Sequence, residues 1–169
     1  MIILGIDPAL RCTGYGVVDM QSPDRARVID CGVITNKADL PHSECLRRLH
    51  GGVGELVKSF SPDCVSMEEA FYGKNIKTSM ILSMARGAII AAFAEMGVPV
   101  YTYSPRKAKL SAVGCGSATK SQVAMMMAAR FAIDVSLIPD DSTDALALAI
   151  CHGQMAVVPG LSALLPKPI

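Results

Sequence analysis

The chain has 169 residues, 51% of them hydrophobic, and its 16 basic and 15 acidic residues leave a net charge of +1. That length allows one domain with a core that needs no disulfides, and the charge balance gives no global sign of a nucleic-acid partner. The six cysteines form no C-x-x-C pair and no signal peptide is evident, so we expect reduced thiols, no zinc site and a cytoplasmic location.

The first third of the chain is predicted to be a meander of three strands. Apolar residues fill 2–7, a second strand follows at 14–20, and residues 27–35 alternate as in a strand with one buried face. Asp39 is then expected to cap a helix whose apolar positions recur at helical spacing until Ser61. Strands therefore come first along the chain, and the helices follow.

The remainder alternates strands with helices. The predicted elements are a strand at 64–68, a helix at 76–96, a strand at 98–103, a helix from a capping box at 119–122 to about 131, and a last helix from about 140. Residues 156–169 lose this pattern and contain three prolines, so we predict a single domain at 1–155 and an unassigned tail. The fold class is α/β, with a five-stranded mixed sheet flanked by helices.

Two carboxylates end predicted strands, and two more begin the last helix. Asp7 and Glu68 close their strands at the edge where ligands collect in such sheets, and the three-residue spacing of Asp141 and Asp144 puts both on one helix face. Clustered carboxylates repel one another unless cations neutralise them, and hard divalent cations also catalyse phosphodiester cleavage. These four acids therefore predict a metal-dependent nuclease site.

Each acid alone also has an ordinary structural explanation. Asp7 precedes a proline and suits a turn, and Asp141 suits the first turn of a helix, where acids complement the macrodipole. Glu69 competes with Glu68, but adjacent strand residues point to opposite faces, and the strand register favours Glu68. The prediction therefore depends on the four acids meeting at one edge of one sheet.

Basic residues are concentrated in one stretch. Residues 70–130 hold eight Lys and Arg side chains and one acidic residue, in a chain whose net charge is +1. This distribution favours a positive surface beside a negative pocket, although unrelated solvated side chains would give the same count. The basic candidates for DNA contacts are Lys74, Lys77, Arg86, Lys109 and Lys120.

Five segments together resemble one family. They are Met1 to Pro8 with Thr13 to Val18, Met67 to Phe71 with Lys74, Ala85 to Gly87, Gly114 to Val123, and Asp141 to Ala147. In this order and spacing they resemble the bacterial RuvC-type Holliday-junction endonucleases of the ribonuclease H-like superfamily, over roughly residues 1–152. The resemblance implies a ribonuclease H-like domain that cuts four-way DNA junctions symmetrically in recombination and repair and leaves 5′ phosphates.

The resemblance also implies roles for individual residues. The family's metal ligands fall on Asp7, Glu68, Asp141 and Asp144, which would hold two Mg²⁺ ions about 4 Å apart, with Mn²⁺ as an open alternative. Its important basic positions fall on Lys109 and Lys120, and Lys120 would neutralise charge on the phosphate. The family's aromatic that stacks on bases at the junction centre falls on Phe71, and Tyr72 is a second aromatic beside it.

A nearly symmetric junction suits a symmetric enzyme, so the resemblance implies a homodimer on a four-way DNA junction, with the RuvA–RuvB branch-migration complex as a further partner. The apolar helix at 76–96 is the natural dimer face, and complete burial inside one monomer is the alternative. Arg86 and Gly87 interrupt this helix, which favours a buried core helix over a membrane span.

The sequence departs from the family at two places. Ala9-Leu10 stands where the family usually has Gly-Ser, and Ala9 would cost roughly 1 kcal/mol if the turn needs a positive φ there. Met84 stands where relatives often have Gln. Three alternatives stay open: a ribonuclease H-like nuclease acting on RNA–DNA hybrids or other branched DNA, an actin-like ATPase domain, and a non-catalytic junction-binding module.

Overall fold

A computed structural model describes residues 1–23, 25–69, 75–131 and 139–169, without the side chains of Lys120, Arg130, Phe131 and Asp140. The strands in these ranges are β1 (Ile2–Asp7), β2 (Cys12–Ser22), β3 (Arg25–Thr35), β4 (Cys64–Glu68) and β5 (Val100–Tyr103). The helices are α1 (His42–Phe60), α2 (Ile76–Glu95), α3 (Pro105–Val113), α4 (Lys120–Phe131) and α5 (Asp140–Val157), and a 3-10 helix follows at Ser162–Leu164.

The strands form one five-stranded mixed sheet in the order β3-β2-β1-β4-β5. β1 pairs antiparallel with β2, and β2 with β3, whereas β4 lies parallel to both β1 and β5. The mixed sheet, its parallel crossover and its flanking helices are thus as predicted. Since β1 and β4 run in the same direction, their last residues, Asp7 and Glu68, reach the same edge of the sheet.

The two faces of the sheet belong to two separate cores. Ile3 and Cys64 point to the face covered by α3, α4 and α5, where they pack with residues such as Leu146. Leu4 and Val65, the next residues along the same strands, point to the other face, which α1 and α2 cover. Because side chains alternate along a strand, Asp7 and Glu68 share the α5 face with Ile3 and Cys64.

Glycines in β1 and β2 allow α5 to lie unusually close to the sheet. A Cβ atom on Gly5 would overlap the backbone carbonyl of Ala145, and one on Gly14 would overlap that of Asp141. A Cβ on Gly16 would lie 2.6 Å from a methyl group of Leu146. The sheet therefore meets the backbone of the first two turns of α5 directly.

Several predicted boundaries differ from the structure. The expected Asp39 cap is wrong: α1 begins at His42 after Pro41, and no side chain caps it. Helix α3 was not predicted at all. The capping box of α4 is confirmed, because the Thr119 N–H donates to Oε1 of Gln122 at 2.9 Å and the Gln122 N–H donates to Thr119 Oγ1 at 3.3 Å.

Helix α2 is not the fully buried helix that was one of the two predictions for it. By length and composition alone this helix could cross a membrane. Only 28% of its most apolar 18-residue segment is buried. Its buried residues include Ile89 and Phe93, which pack into the core that α1 shares. Its large exposed apolar side chains are Ile76, Met80 and Met84, spaced four residues apart along one face.

A buried polar pair joins the far edge of the sheet to α5. The Tyr103 hydroxyl and His152 Nδ1 lie 2.8 Å apart in a hydrogen bond, and both residues are 1% exposed. The Tyr101 ring also packs on the imidazole, with centroids 4.5 Å apart. Burial lowers the pKa of His152 from 6.5 to about 4, so the ring is neutral in the folded protein above that pH.

We expect Gly5→Ala to destabilise the fold by about 3 kcal/mol, because its methyl group must displace the α5 backbone. Gly51→Ala is the matched control: Gly51 lies in α1, a Cβ there meets no atom within 4 Å, and the change should stabilise by about 0.5–1 kcal/mol. Denaturant unfolding measures both. Equal, small effects of the two substitutions would contradict the close packing of α5.

We expect the free energy of unfolding to fall as the pH drops from 6.5 to about 4. In this range the His152 imidazole is protonated in the unfolded chain and neutral in the folded chain, so protonation favours the unfolded state. The contribution of this group is complete above pH 6.5 and is on the order of 3 kcal/mol. Urea unfolding at several pH values should show a flatter profile for His152→Gln than for the parent chain. Parallel profiles would remove His152 as the cause.

Candidate active site

Three of the four predicted acids line one cleft. Asp7, Glu68 and Asp144 border a cavity of about 200 Å³ at the carboxyl ends of β1 and β4. All three side chains are partly buried. Residues of α3 complete the wall, including Lys109. Strand direction, strand parity and the position of α5 thus bring together side chains that lie up to 137 positions apart in the sequence.

Asp141 lies beside this cleft and does not line it. Its backbone packs on Gly14, which is the residue paired with Asp7 across β1 and β2. The Cys12 thiol hydrogen-bonds to Asp141 and lies within range of the negative charge of Asp7. Partial burial, then the Asp141 bond and the two negative charges, raise the pKa of Cys12 to about 11. All four acids are therefore neighbours at one sheet edge.

The donor set suits a hard divalent cation. Carboxylate oxygens are the ligands that Mg²⁺ prefers, and Mg²⁺ takes only one or two of them while keeping waters and binding phosphate oxygens. Among the described residues, however, no three His, Cys, Asp or Glu side chains are arranged as a ready-made metal site. The acids fit the chemistry of such an ion, but no three of their side chains converge on one metal position in the described part of the chain.

Arg86 is held behind the acids. Its guanidinium donates a hydrogen bond to the backbone carbonyl of Glu68, and its side chain is 7% exposed. Burial lowers its pKa, which the nearby charges of Glu68 and Glu69 oppose. The DNA contact that the sequence suggested for Arg86 stays a prediction. The Glu69 N–H donates to the Tyr103 carbonyl at 2.9 Å, so both residues at the end of β4 are fixed by their backbones.

Lys109 lies at the mouth of the cleft because α3 carries it there. The Lys109 ammonium donates to the Ala118 carbonyl at 3.1 Å, which ties it to the loop before α4. The sequence did contain the signal for α3: Ser104 caps it by accepting the Lys107 N–H at 3.3 Å, and Pro105 follows at its first turn. Lys120 is the first residue of α4, and its side chain lies outside the described part.

The turn after Asp7 is free of the strain that Ala9 could have caused. Within the described residues, Ser61 is the one non-glycine residue with a positive φ, so Ala9 needs no glycine-like conformation. Thr13 closes the turn from the side: its hydroxyl accepts the Ala9 N–H at 3.1 Å and donates to the Ala9 carbonyl at 2.6 Å. Leu10 turns inward and is 6% exposed in the core.

Most of the remaining predicted DNA contacts lie outside the described residues. Phe71, Tyr72 and Lys74 lie outside the described residues, so their roles stay predictions. Lys77 is exposed in the first turn of α2.

The sequence did not single out two residues at this site, Cys12 and Ser66. The Ser66 hydroxyl donates to the Leu148 carbonyl at 2.7 Å and links β4 to α5. Alternation along β4 puts Ser66 on the face of Glu68, which was the available signal.

Comparison with known proteins identifies the family. The profile of the family described as crossover junction endodeoxyribonuclease RuvC matches residues 3–152. A relative of that name from Ruminiclostridium cellulolyticum is 42% identical over 153 residues, covering 90% of this chain and 92% of its own. The relative from Clostridioides difficile is 41% identical over 152 residues, covering 90% and 89%.

A solved structure agrees over the whole length. Thermus thermophilus RuvC in complex with a Holliday junction substrate superposes with a TM-score of 0.89 at 32% identity, covering 100% of this chain and 99% of that one. The sheet order and the helices on its two faces are thus the ribonuclease H-like fold of these enzymes. The chain therefore belongs to the RuvC family of crossover junction endodeoxyribonucleases.

Proposed function

We propose that this chain is an endonuclease that resolves Holliday junctions by symmetric, metal-dependent hydrolysis and leaves 5′ phosphates, in recombination and DNA repair. The observation that carries the proposal is the cleft in which Asp7, Glu68 and Asp144 face Lys109. Similarity over nearly the full length to RuvC enzymes, one of them solved with a junction, supplies the substrate class.

The acids Asp7, Glu68, Asp141 and Asp144 are the residues that would hold two Mg²⁺ ions, with Mn²⁺ as a substitute. Bound there, such ions would activate water and stabilise the leaving oxygen of the phosphodiester. The protein's own contribution is to hold the carboxylates on rigid strand and helix ends. Side chains fixed in this way lose little conformational entropy when the ions bind. Lys109 would receive a phosphate oxygen at the mouth, and Lys120 would offset the charge that develops there.

We also propose a homodimer formed through α2. Ile76, Met80 and Met84 are 76%, 63% and 46% exposed, which is unusual for large apolar side chains in one row. Gly87 and Ala91 continue the exposed row with small residues that allow a second helix to approach. Two copies related by a two-fold axis would then offer two sites to a nearly two-fold junction.

The setting of the reaction follows from the same proposal. All six cysteines are free thiols, as expected for a protein of the reducing cytoplasm, where chromosomal DNA is found in bacteria. RuvA–RuvB branch migration is the partner process that the family resemblance implies. Phe71, with Tyr72 and Lys74 beside it, would contact the unpaired centre of the junction.

The proposed function is tested by a cleavage panel. Labelled four-way junctions, linear duplexes and RNA–DNA hybrids at equal concentration should show Mg²⁺-dependent paired nicks in the junction alone. Preferential cutting of the hybrid would favour the alternative ribonuclease H-like nuclease. Junction binding without any cutting would favour a non-catalytic binding module.

On that panel we expect Asp7→Asn to lower junction cutting by about 10³-fold or more, because one carboxylate ligand is lost, while folding and junction binding persist. Asp39→Asn is the matched control, since Asp39 is exposed in the loop before α1 and outside the cleft. It should cut within about two-fold of the parent chain. Undiminished cutting by purified Asp7→Asn would refute the role given to Asp7.

We expect Met84→Glu to raise the dimer dissociation constant by about 100-fold or more, because it buries an unpaired charge at the proposed interface. Met125→Glu is the control: Met125 is a comparably exposed apolar side chain on α4, at 56% against 46% for Met84. Sedimentation velocity measures the association of both variants. A Met84→Glu chain that associates as well as the Met125→Glu chain would exclude α2 as the dimer face.

A further inference from the structure

A buried arginine in this fold needs an explanation. Arg86 is 7% exposed, although a guanidinium taken out of water costs several kcal/mol unless it is paired. It lies in the middle of α2, on the side of that helix that faces the core next to Ala85 and Ile89. A hydrophobic residue would fill this place at lower cost, so the charge must serve something nearby.

The contacts of Arg86 lead to the end of β4. Its guanidinium donates to the Glu68 carbonyl, which belongs to the last residue of the strand. Arg86 also borders a cavity of about 100 Å³ together with Asp7, Glu68 and Glu69. The guanidinium is therefore anchored to the backbone of one predicted metal ligand, Glu68, and borders the same cavity as another, Asp7.

We propose that Arg86 is a positioning residue that fixes the end of β4 so that Glu68 faces α5. This inference rests on the proposed function, in which Asp7 and Glu68 are metal ligands. A fixed cation near the ligands also repels a divalent ion, so the expected gain in metal binding comes from the orientation of Glu68 and not from the charge of Arg86. Residues that orient metal ligands in this way typically contribute about 10- to 100-fold to metal affinity or activity.

A direct contact with DNA is the competing role for Arg86. Arg86 is 7% exposed and bonded to a carbonyl, which favours a structural role, whereas Lys77 on the same helix is exposed and suits a phosphate contact better. The two roles differ in what they alter. A phosphate contact strengthens junction binding and steepens its salt dependence, and a positioning residue leaves both unchanged while it alters the response to metal.

The test compares Arg86→Lys and Arg86→Met with the parent chain. Lysine keeps the charge and loses the planar fork, and methionine loses both. Lys58→Met is the control, because it removes an exposed cation from α1. Four quantities are measured: the Mg²⁺ dependence of junction cutting, junction binding in EDTA at several salt concentrations, the melting temperature, and the rise in melting temperature that Mn²⁺ causes in the protein without DNA.

We expect Arg86→Met to need about 10- to 100-fold more Mg²⁺ for half-maximal cutting and to lose most of the Mn²⁺-induced rise, with Arg86→Lys intermediate. Junction binding in EDTA and its salt slope should match those of the parent. If Arg86→Met does not fold, Arg86→Lys decides through the same measurements. A salt slope lower by about one, or variants that respond to metal as the parent does, would overturn the proposal.

The failure of the inference is separable from that of the proposed function. If the parent chain cuts no four-way junction, the proposed function fails, and the Mn²⁺-induced rise still reports on Arg86. If the parent cuts and both Arg86 variants keep its metal response, the positioning role fails alone.

Discussion

The close approach of α5 to β1 and β2 is the constraint on which the site depends. Gly5 and Gly14 leave no side chain between the sheet and the helix backbone, and Gly16 leaves room for the side chain of Leu146. That spacing brings Asp141 and Asp144, on α5, to the sheet edge where β1 and β4 end. A helix held one methyl group further away would separate these acids from Asp7 and Glu68, so the glycines determine whether the carboxylates can act together.

Electrostatics complements that packing. The chain is nearly neutral overall, yet residues 70–130 carry eight of its basic residues and one acidic residue. This stretch contains α2, α3 and all of α4 except Phe131, and residues of α2 and α3 border the sheet edge that the acids occupy. Arg86 lies behind the acids and Lys109 in front of them, at fixed places. The positions of individual cations around the acids, and not the net charge of the chain, therefore set the local charge of the cleft.

Hydrophobic periodicity was enough to predict the sheet, because β1 and β4 alternate between two cores and each side chain follows strand parity. It also predicted that Asp7 and Glu68 would share an edge. Two kinds of feature escaped it. Helix α3 is short and weakly amphipathic, so only its Ser104 cap marked it. Arg86 counted as a surface cation, since burial by tertiary packing leaves no trace in local sequence.

The turn between β1 and β2 illustrates how a departure from a family pattern can be absorbed. A glycine there would supply freedom of φ, but Thr13 and Asn36 hold this turn instead: Thr13 bonds both backbone groups of Ala9, and Asn36 Nδ2 donates to the Leu10 carbonyl at 2.8 Å. Alanine restricts the unfolded chain more than glycine does, so Ala9 at an ordinary φ favours the folded state. With Leu10 buried as well, the backbone that follows Asp7 is anchored on both sides, which keeps this carboxylate in register with the acids of α5.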